Sequence, residues 1–216
     1  MSNISGAPQG SKIDLSAVQS WRRTALLGFG LVLLCGAAFT ASAMPYEVEG
    51  SLHESIEVAG QVLLLIAIAG RTWCSLYIGG RKKAEIVDTG PYSICRNPLY
   101  VFSVLGAVGV GAQFGSLSAA LLVGLITVIV FVLVVRKEEQ FLVAKFGAPY
   151  RAYLQRVPRF IPDVRLWRNV DTMEINPILV TRTFLEASLL LVAIPLCEGI
   201  ELLQISSILP VLWIAP

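Results

Sequence analysis

Long apolar runs, cut apart by short charged segments, decide most of what this chain can become. Thr24 to Met44, Glu57 to Ile78, Pro98 to Phe114, Ser118 to Val135 and Pro177 to Pro195 each approach the ~20 residues a helix needs to cross a bilayer. Ile200 to Ile214 is shorter and holds Pro210, so it reads as a sixth span or as an interfacial segment. With 55% of its 216 residues hydrophobic and 15% charged, the chain carries more apolar surface than a soluble domain of that size hides. The expected fold is all-α: a polytopic membrane protein with five or six transmembrane helices and a short cytoplasmic helical segment.

Residues 1–23 read as a flexible polar tail, 24–79 as the first two spans, 80–162 as a core built on a transmembrane hairpin, and 163–216 as a linker with one or two membrane segments. The first run is too long for a signal-peptide core and further spans follow it, although Ala41-Ser42-Ala43 imitates a cleavage site. The short Gly-Ser loop before Ser118 permits only an antiparallel hairpin of the third and fourth helices. Arg136 to Phe146 continues the fourth helix, Gly147 offers a stop, and Pro149 starts a short helix that Pro158 and Pro162 close.

Basic residues fix the expected orientation. Lys12, Arg22 and Arg23 precede the first span, Arg81 to Arg96 follows the second, and the third cluster runs from Arg136 to Arg168. The Pro45 to Glu57 loop is acidic, and Gln113 to Ser118 carries no charge. By the positive-inside rule the N-terminus and both basic connections face the cytoplasm. Cys35, Cys74, Cys95 and Cys197 lack CxxC spacing, so neither a zinc site nor a disulfide framework follows. His53 is the sole histidine. It is expected in a solvated loop, with no metal site, and it leaves no room for histidine triads.

Two charged motifs fall on the same membrane face. Gly90-Pro-Tyr-Ser-Ile-Cys-Arg-Asn-Pro-Leu-Tyr100 combines a glycine-proline turn, an arginine and a proline-started helix. Arg96 offers a planar fork for a carboxylate or phosphate, or is simply a positive-inside arginine beside headgroups. Glu138 and Glu139 follow an apolar span and project about 100° apart on a helix, so they serve different partners or pair locally. Arg71 lies inside the second span, where a charge faces a cavity or snorkels. Tyr150 and Tyr153 read as interfacial anchors or as a stacking surface. Arg182 and Glu186 read as a structural pair four apart, and Gly109-Val110-Gly111 as a close-packing stretch.

Taken in order, Gly90-Pro91-Tyr92, Arg96-Asn97-Pro98-Leu99-Tyr100, Glu138-Glu139, Leu142, Phe146-Gly147, Tyr150, Tyr153 and Val157-Pro158-Arg159-Phe160-Ile161-Pro162 resemble the isoprenylcysteine carboxyl methyltransferase and phospholipid N-methyltransferase group of integral membrane methyltransferases. Arg71-Thr72-Trp73 resembles that family's arginine-aromatic pattern in the preceding helix, and the likeness covers roughly residues 60–162. It implies S-adenosylmethionine held at the cytoplasmic face by Gly90, Tyr92, Arg96, Asn97, Pro98, Tyr100, Glu138, Glu139, Tyr150 and Tyr153. It implies Arg71 and Trp73 toward a small amphiphilic or lipid-like acceptor from the bilayer, with no metal and no nucleic acid. It assigns no catalytic residue and leaves the oligomeric state open.

The family usually has Arg-His-Pro, whereas this chain has Asn97, which cannot titrate near neutral pH. A carboxylate or thiolate acceptor needs no base, so the substitution leans away from phospholipid amines. A nicotinamide-dependent membrane reductase and a non-catalytic scaffold stand as the alternatives.

Overall fold

A computed structural model describes residues 40–42, 49–81, 84–206, 208 and 213–215. The expected tail and nearly all of the expected first span lie outside the described residues.

Helix α1 (Glu49–Ile78) begins earlier than expected. His53 and Glu57 therefore stand one turn apart on a helix rather than in a loop. The stretch from Ser51 to Glu57 contains neither Pro nor Gly, so nothing in it stops the helix from extending toward its N-terminus. After the basic connection come a single turn, α2 (Pro91–Ile94), and then α3 (Pro98–Ala112) and α4 (Leu117–Phe146). The α3–α4 pair is the expected hairpin, and the Ser116 hydroxyl caps α4 by accepting from the Ala119 amide at 3.4 Å.

Small residues set how closely these helices meet. A Cβ on Gly109 would stand 2.8 Å from the Gly60 carbonyl of α1, and one on Gly111 would stand 2.7 Å from Cα of Ala120 on α4. The glycines of the Gly-Val-Gly stretch thus let α3 settle against both neighbours, as expected for membrane helices. Leu121, Leu122, Leu125, Ile129 and Leu133 on α4 remain outward and exposed. That apolar face suits contact with lipid.

Helix α4 runs unbroken through Glu138 and Glu139 to Phe146. Gly147 then adopts φ 63°, ψ −130°, a conformation open essentially to glycine alone, and turns the chain into α5 (Ala148–Arg156).

The C-terminal part departs from expectation. Helix α6 (Pro177–Ser188), a 3-10 stretch (Leu189–Val192) and α7 (Ala193–Ile205) form one continuous run. Pro195 has no N–H to give to Leu191, and the helix tightens just before it instead of ending. Arg182 and Glu186 pair within it at 2.8 Å. Of the stretch expected as a sixth span or an interfacial segment, Ile200 to Ile205 belongs to α7, and residues 207 and 209–212 lie outside the described residues. Trp213–Ala215 pairs in parallel with Thr40–Ser42, and among the described residues the regular structure is otherwise helical.

Among the described residues, Leu52–Ile78, Leu117–Phe146 and Pro177–Gln204 are long and apolar enough to cross a membrane, and Pro98–Ala112 is shorter. At 1.5 Å per residue α3 spans roughly 22 Å, short of the ~30 Å hydrocarbon core. These helices make the chain an integral membrane protein.

Candidate functional site

At one end of the bundle, α2, α3, α4 and α5 surround a cavity of about 160 Å³. Tyr92, Arg96, Asn97, Tyr100, Glu138, Glu139, Tyr150 and Tyr153 all line it, with Leu99, Phe141, Leu142 and Phe146 among the apolar wall. Residues separated by up to 75 positions in the chain, from Ile78 to Tyr153, thus meet around one space.

Glu139 is the centre of the polar wall. Its carboxylate forms an ion pair with Arg96 Nη1 at 3.2 Å and accepts from Arg159 Nη2 at 2.7 Å and from Arg159 Nε at 3.1 Å. Glu138 and Glu139 are 7% and 6% exposed, deep for carboxylates, and the two guanidiniums offset the desolvation of Glu139. Arg159 is the residue that site expectations missed. It stands in the Val157-Pro158-Arg159 motif, but its partner lies on a different helix.

A second layer holds Arg96 in place. Its amide donates to the Pro158 carbonyl at 2.9 Å, and the Asp163 amide donates to the Ile94 carbonyl at 3.0 Å. Asn97 Nδ2 donates to the Arg159 carbonyl at 3.2 Å, so this amide fastens the Arg159 strand to the start of α3. Cys95 lies against the same strand, its Sγ 3.3 Å from the Phe160 carbonyl, and burial pushes the thiol up to about 11.

Tyr153 donates its hydroxyl to the Tyr92 carbonyl at 2.8 Å and packs beside Tyr150, with ring centroids 5.7 Å apart. Burial holds both phenols, and that of Tyr92, well above their ordinary range, so all three are neutral donors. Tyr92 Oη and Arg96 Nε are buried without a protein partner. Unmatched buried donors beside a cavity fit a ligand with acceptor oxygens.

Four expected site residues lie off this wall. Pro98 is buried at the first turn of α3. Gly90 is structural: its φ of 57° and the Tyr77 ring beside it exclude a side chain, and its amide donates to the Arg168 carbonyl at 2.7 Å. Arg71 donates from α1 to Ser103 Oγ, which itself donates to the Leu99 carbonyl. Trp73 stacks on Trp167 with centroids 5.9 Å apart.

This geometry falls inside a recognisable stretch of sequence. Residues 59–149 match the model of the phospholipid methyltransferase family. The resemblance drawn from the motifs is thereby borne out. The matched stretch holds most of the cavity wall but stops before Tyr153 and Arg159. The chain is 38% identical over 117 residues to the cobalt-zinc-cadmium resistance protein CzcN of Cupriavidus metallidurans, covering 54% of each. It is 38% identical over 121 residues to the nickel-cobalt-cadmium resistance protein NccN of Alcaligenes xylosoxydans xylosoxydans, covering 56% of each. Protein-S-isoprenylcysteine O-methyltransferase of Schizosaccharomyces pombe is 32% identical over 95 residues, 44% of this chain and 40% of that protein. The chain thus spans about half the length of the curated relatives it matches. No solved structure matches it.

Proposed function

We propose that this chain is an S-adenosylmethionine-dependent membrane methyltransferase acting on a small amphiphilic acceptor, of which an isoprenylcysteine-type carboxylate is the best fit. The observation that carries the reading is the charge of the cavity wall. Glu85, Glu138 and Glu139 line it together with Arg96, while Arg81 and Arg159 pair with Glu85 and Glu139 from beside the lining, so the wall carries both signs of charge. Such a wall suits a ligand that bears a sulfonium and an ammonium as well as a carboxylate. Among the lining residues Arg96 is the basic one and it already pairs with Glu139, so the wall offers little to the several phosphates of a nicotinamide dinucleotide, which counts against the reductase reading.

The residues present fit the cofactor. Arg96, with its unpartnered Nε, suits the amino-acid carboxylate, and the Tyr92 hydroxyl suits a further acceptor. Glu138 and Glu139 suit the ammonium or the ribose hydroxyls. Tyr100, Tyr150 and Tyr153 supply ring surface, while Leu99, Phe141 and Leu142 keep water out. When bound, the cofactor supplies an electrophilic methyl group, whose transfer depends chiefly on alignment and dryness.

We assign Asn97 to scaffolding of the wall rather than to proton transfer. A carboxylate acceptor, already nucleophilic, matches a wall without a titrating base. Arg71 adjoins the cavity through Ser103 and Leu99, and we assign it to the acceptor side. Trp73, stacked on Trp167, belongs to the support of the basic connection. The positive-inside pattern supports a cytoplasmic-face cavity. The names of two relatives describe resistance to metals and specify no chemistry, so they add nothing to the choice of acceptor.

Calorimetry on the detergent-purified chain tests the proposal. Saturable binding of S-adenosylmethionine, no binding of NADPH, and loss of binding in the Arg96→Ala, Glu139→Ala variant are expected. Binding of NADPH alone would move the chain to the reductases. Binding of neither by a folded sample would favour the non-catalytic scaffold.

A further inference from the structure

The far end of α1 gathers a second set of polar side chains that the methyltransferase reading does not use. His53 and Glu57 are one turn apart on α1, and Glu201 reaches them from α7. His53 Nε2 lies 3.2 Å from Glu57 Oε1 and 3.3 Å from Glu201 Oε1. The three donor atoms all fall within 4.8 Å of one another. His53 to Ile78 covers 25 residues of helix, so this cluster and the cavity stand roughly 37 Å apart along α1.

We propose that His53, Glu57 and Glu201 form a binding site for a first-row divalent transition-metal ion. Spacing is the first argument. Ligand atoms about 2.0–2.2 Å from a tetrahedral ion stand about 3.3–3.6 Å from each other. The two nitrogen-to-oxygen separations therefore lie close to the edges of a coordination sphere, with a position left open. Convergence is the second. Nε2 is buried and lies at ion-pair distance from both carboxylates, which come from two different helices. The three groups thus present their ligand atoms to one shared space that an ion can occupy.

Charge is the third argument. The chain has no Lys or Arg between residues 24 and 70, between 97 and 135, or after 182. Glu54 and Glu198 add to the negative charge near the cluster. None of the stretches that form this end of the bundle among the described residues supplies a Lys or Arg to neutralise the two gathered carboxylates, and a divalent cation does so fully. One imidazole nitrogen with two carboxylates selects Zn²⁺, Co²⁺ or Ni²⁺ over Ca²⁺ and Mg²⁺, which prefer all-oxygen shells.

The site is also held in place by packing. The imidazole lies against the α3–α4 turn so closely that a Cβ on Gly115 would overlap it. Gln113 Nε2 donates to the Glu57 carbonyl at 3.2 Å. Ligand orientation is thereby fixed by three elements rather than by one helix.

The test uses the full chain in detergent, purified without a polyhistidine tag, stripped with chelator and titrated with Zn²⁺. Because His53 is the only histidine, ¹³C-histidine labelling gives a single imidazole resonance that reports the site directly. One Zn²⁺ per chain is expected, with a shift of that resonance. Glu201→Gln should weaken binding about tenfold or more, and His53→Ala should abolish it. Glu186→Gln, in the same helical run but at the Arg182 pair, should change nothing. An imidazole unmoved at saturating Zn²⁺, or equal isotherms for wild type and Glu201→Gln, would overturn the proposal and make the cluster an ordinary ion pair. Glu201 is half exposed, so its variant carries the test even where His53→Ala misfolds. None of these readouts depends on methyl transfer.

Discussion

Glu139 shows how much of a site one residue can organise. It is bound by Arg96 and Arg159, whose side chains are 11% and 39% exposed. Removing one partner of a buried pair costs about 3–5 kcal/mol, whereas an exposed pair contributes about 0–1 kcal/mol. Arg96→Ala should therefore lower the melting temperature and ligand affinity far more than Arg159→Ala, and paired thermal melts and calorimetry check the order. Arg96, Glu138 and Glu139 were legible in the sequence because charges at the end of an apolar span need a reason to be there. Arg159 was not, since nothing local links it to a carboxylate 20 positions upstream. Tyr92 and Asn97 were legible as members of a motif, but the backbone-fastening role of Asn97 needed the fold.

At the scale of elements, the short pieces around the cavity are tied by a few bonds rather than by a large core. Asp88 accepts from Arg156 and Arg168, each at 2.6 Å, which joins the basic connection to the end of α5 and to the linker. Burial raises the Asp88 carboxyl, but the hydrogen bonds of the two arginines outweigh it and hold it below its usual range. A carboxyl depressed in the folded state stabilises above its unfolded value of about 3.9 and loses that contribution as pH falls through the folded value. Acid should thus loosen this clasp, and Asp88→Asn should flatten that part of a stability-versus-pH curve, read by thermal melts from pH 6 downward. Gly90→Ala meets both a positive φ and the Tyr77 ring. A destabilisation of about 1–3 kcal/mol or more is expected from backbone strain alone, read as a lowered melting temperature. The α4–α5 break was legible from Gly147 and Pro149. The continuity of α6 into α7 was not, because a proline within a helix reads as a stop until neighbouring turns are seen to absorb it.

For the whole molecule, hydropathy foretold helices and lipid contact, and among the described residues three helices are long and apolar enough to cross a membrane. Periodicity and length cannot say whether a run such as Ile200 to Ile214 finds a helical partner. The cavity wall is drawn from residues 78 to 153, fastened by 158 to 169, while α6 and α7 lean on α1 from outside. A chain ending after Asn176 should keep cofactor affinity within about tenfold, ~1.4 kcal/mol, of the full chain. A loss beyond that would mean that the last helices shape the cavity. The stitching of Arg96 to Pro158 and of Gly90 to Arg168 has a bearing on biogenesis. A polypeptide leaves the ribosome from its N-terminus, and its parts fold in that order. Every bond that closes this cavity is available once residue 169 has emerged, while the last two helices are still inside the ribosome or the insertion machinery. The pocket is a finished object before the protein is, and the final span is inserted beside it.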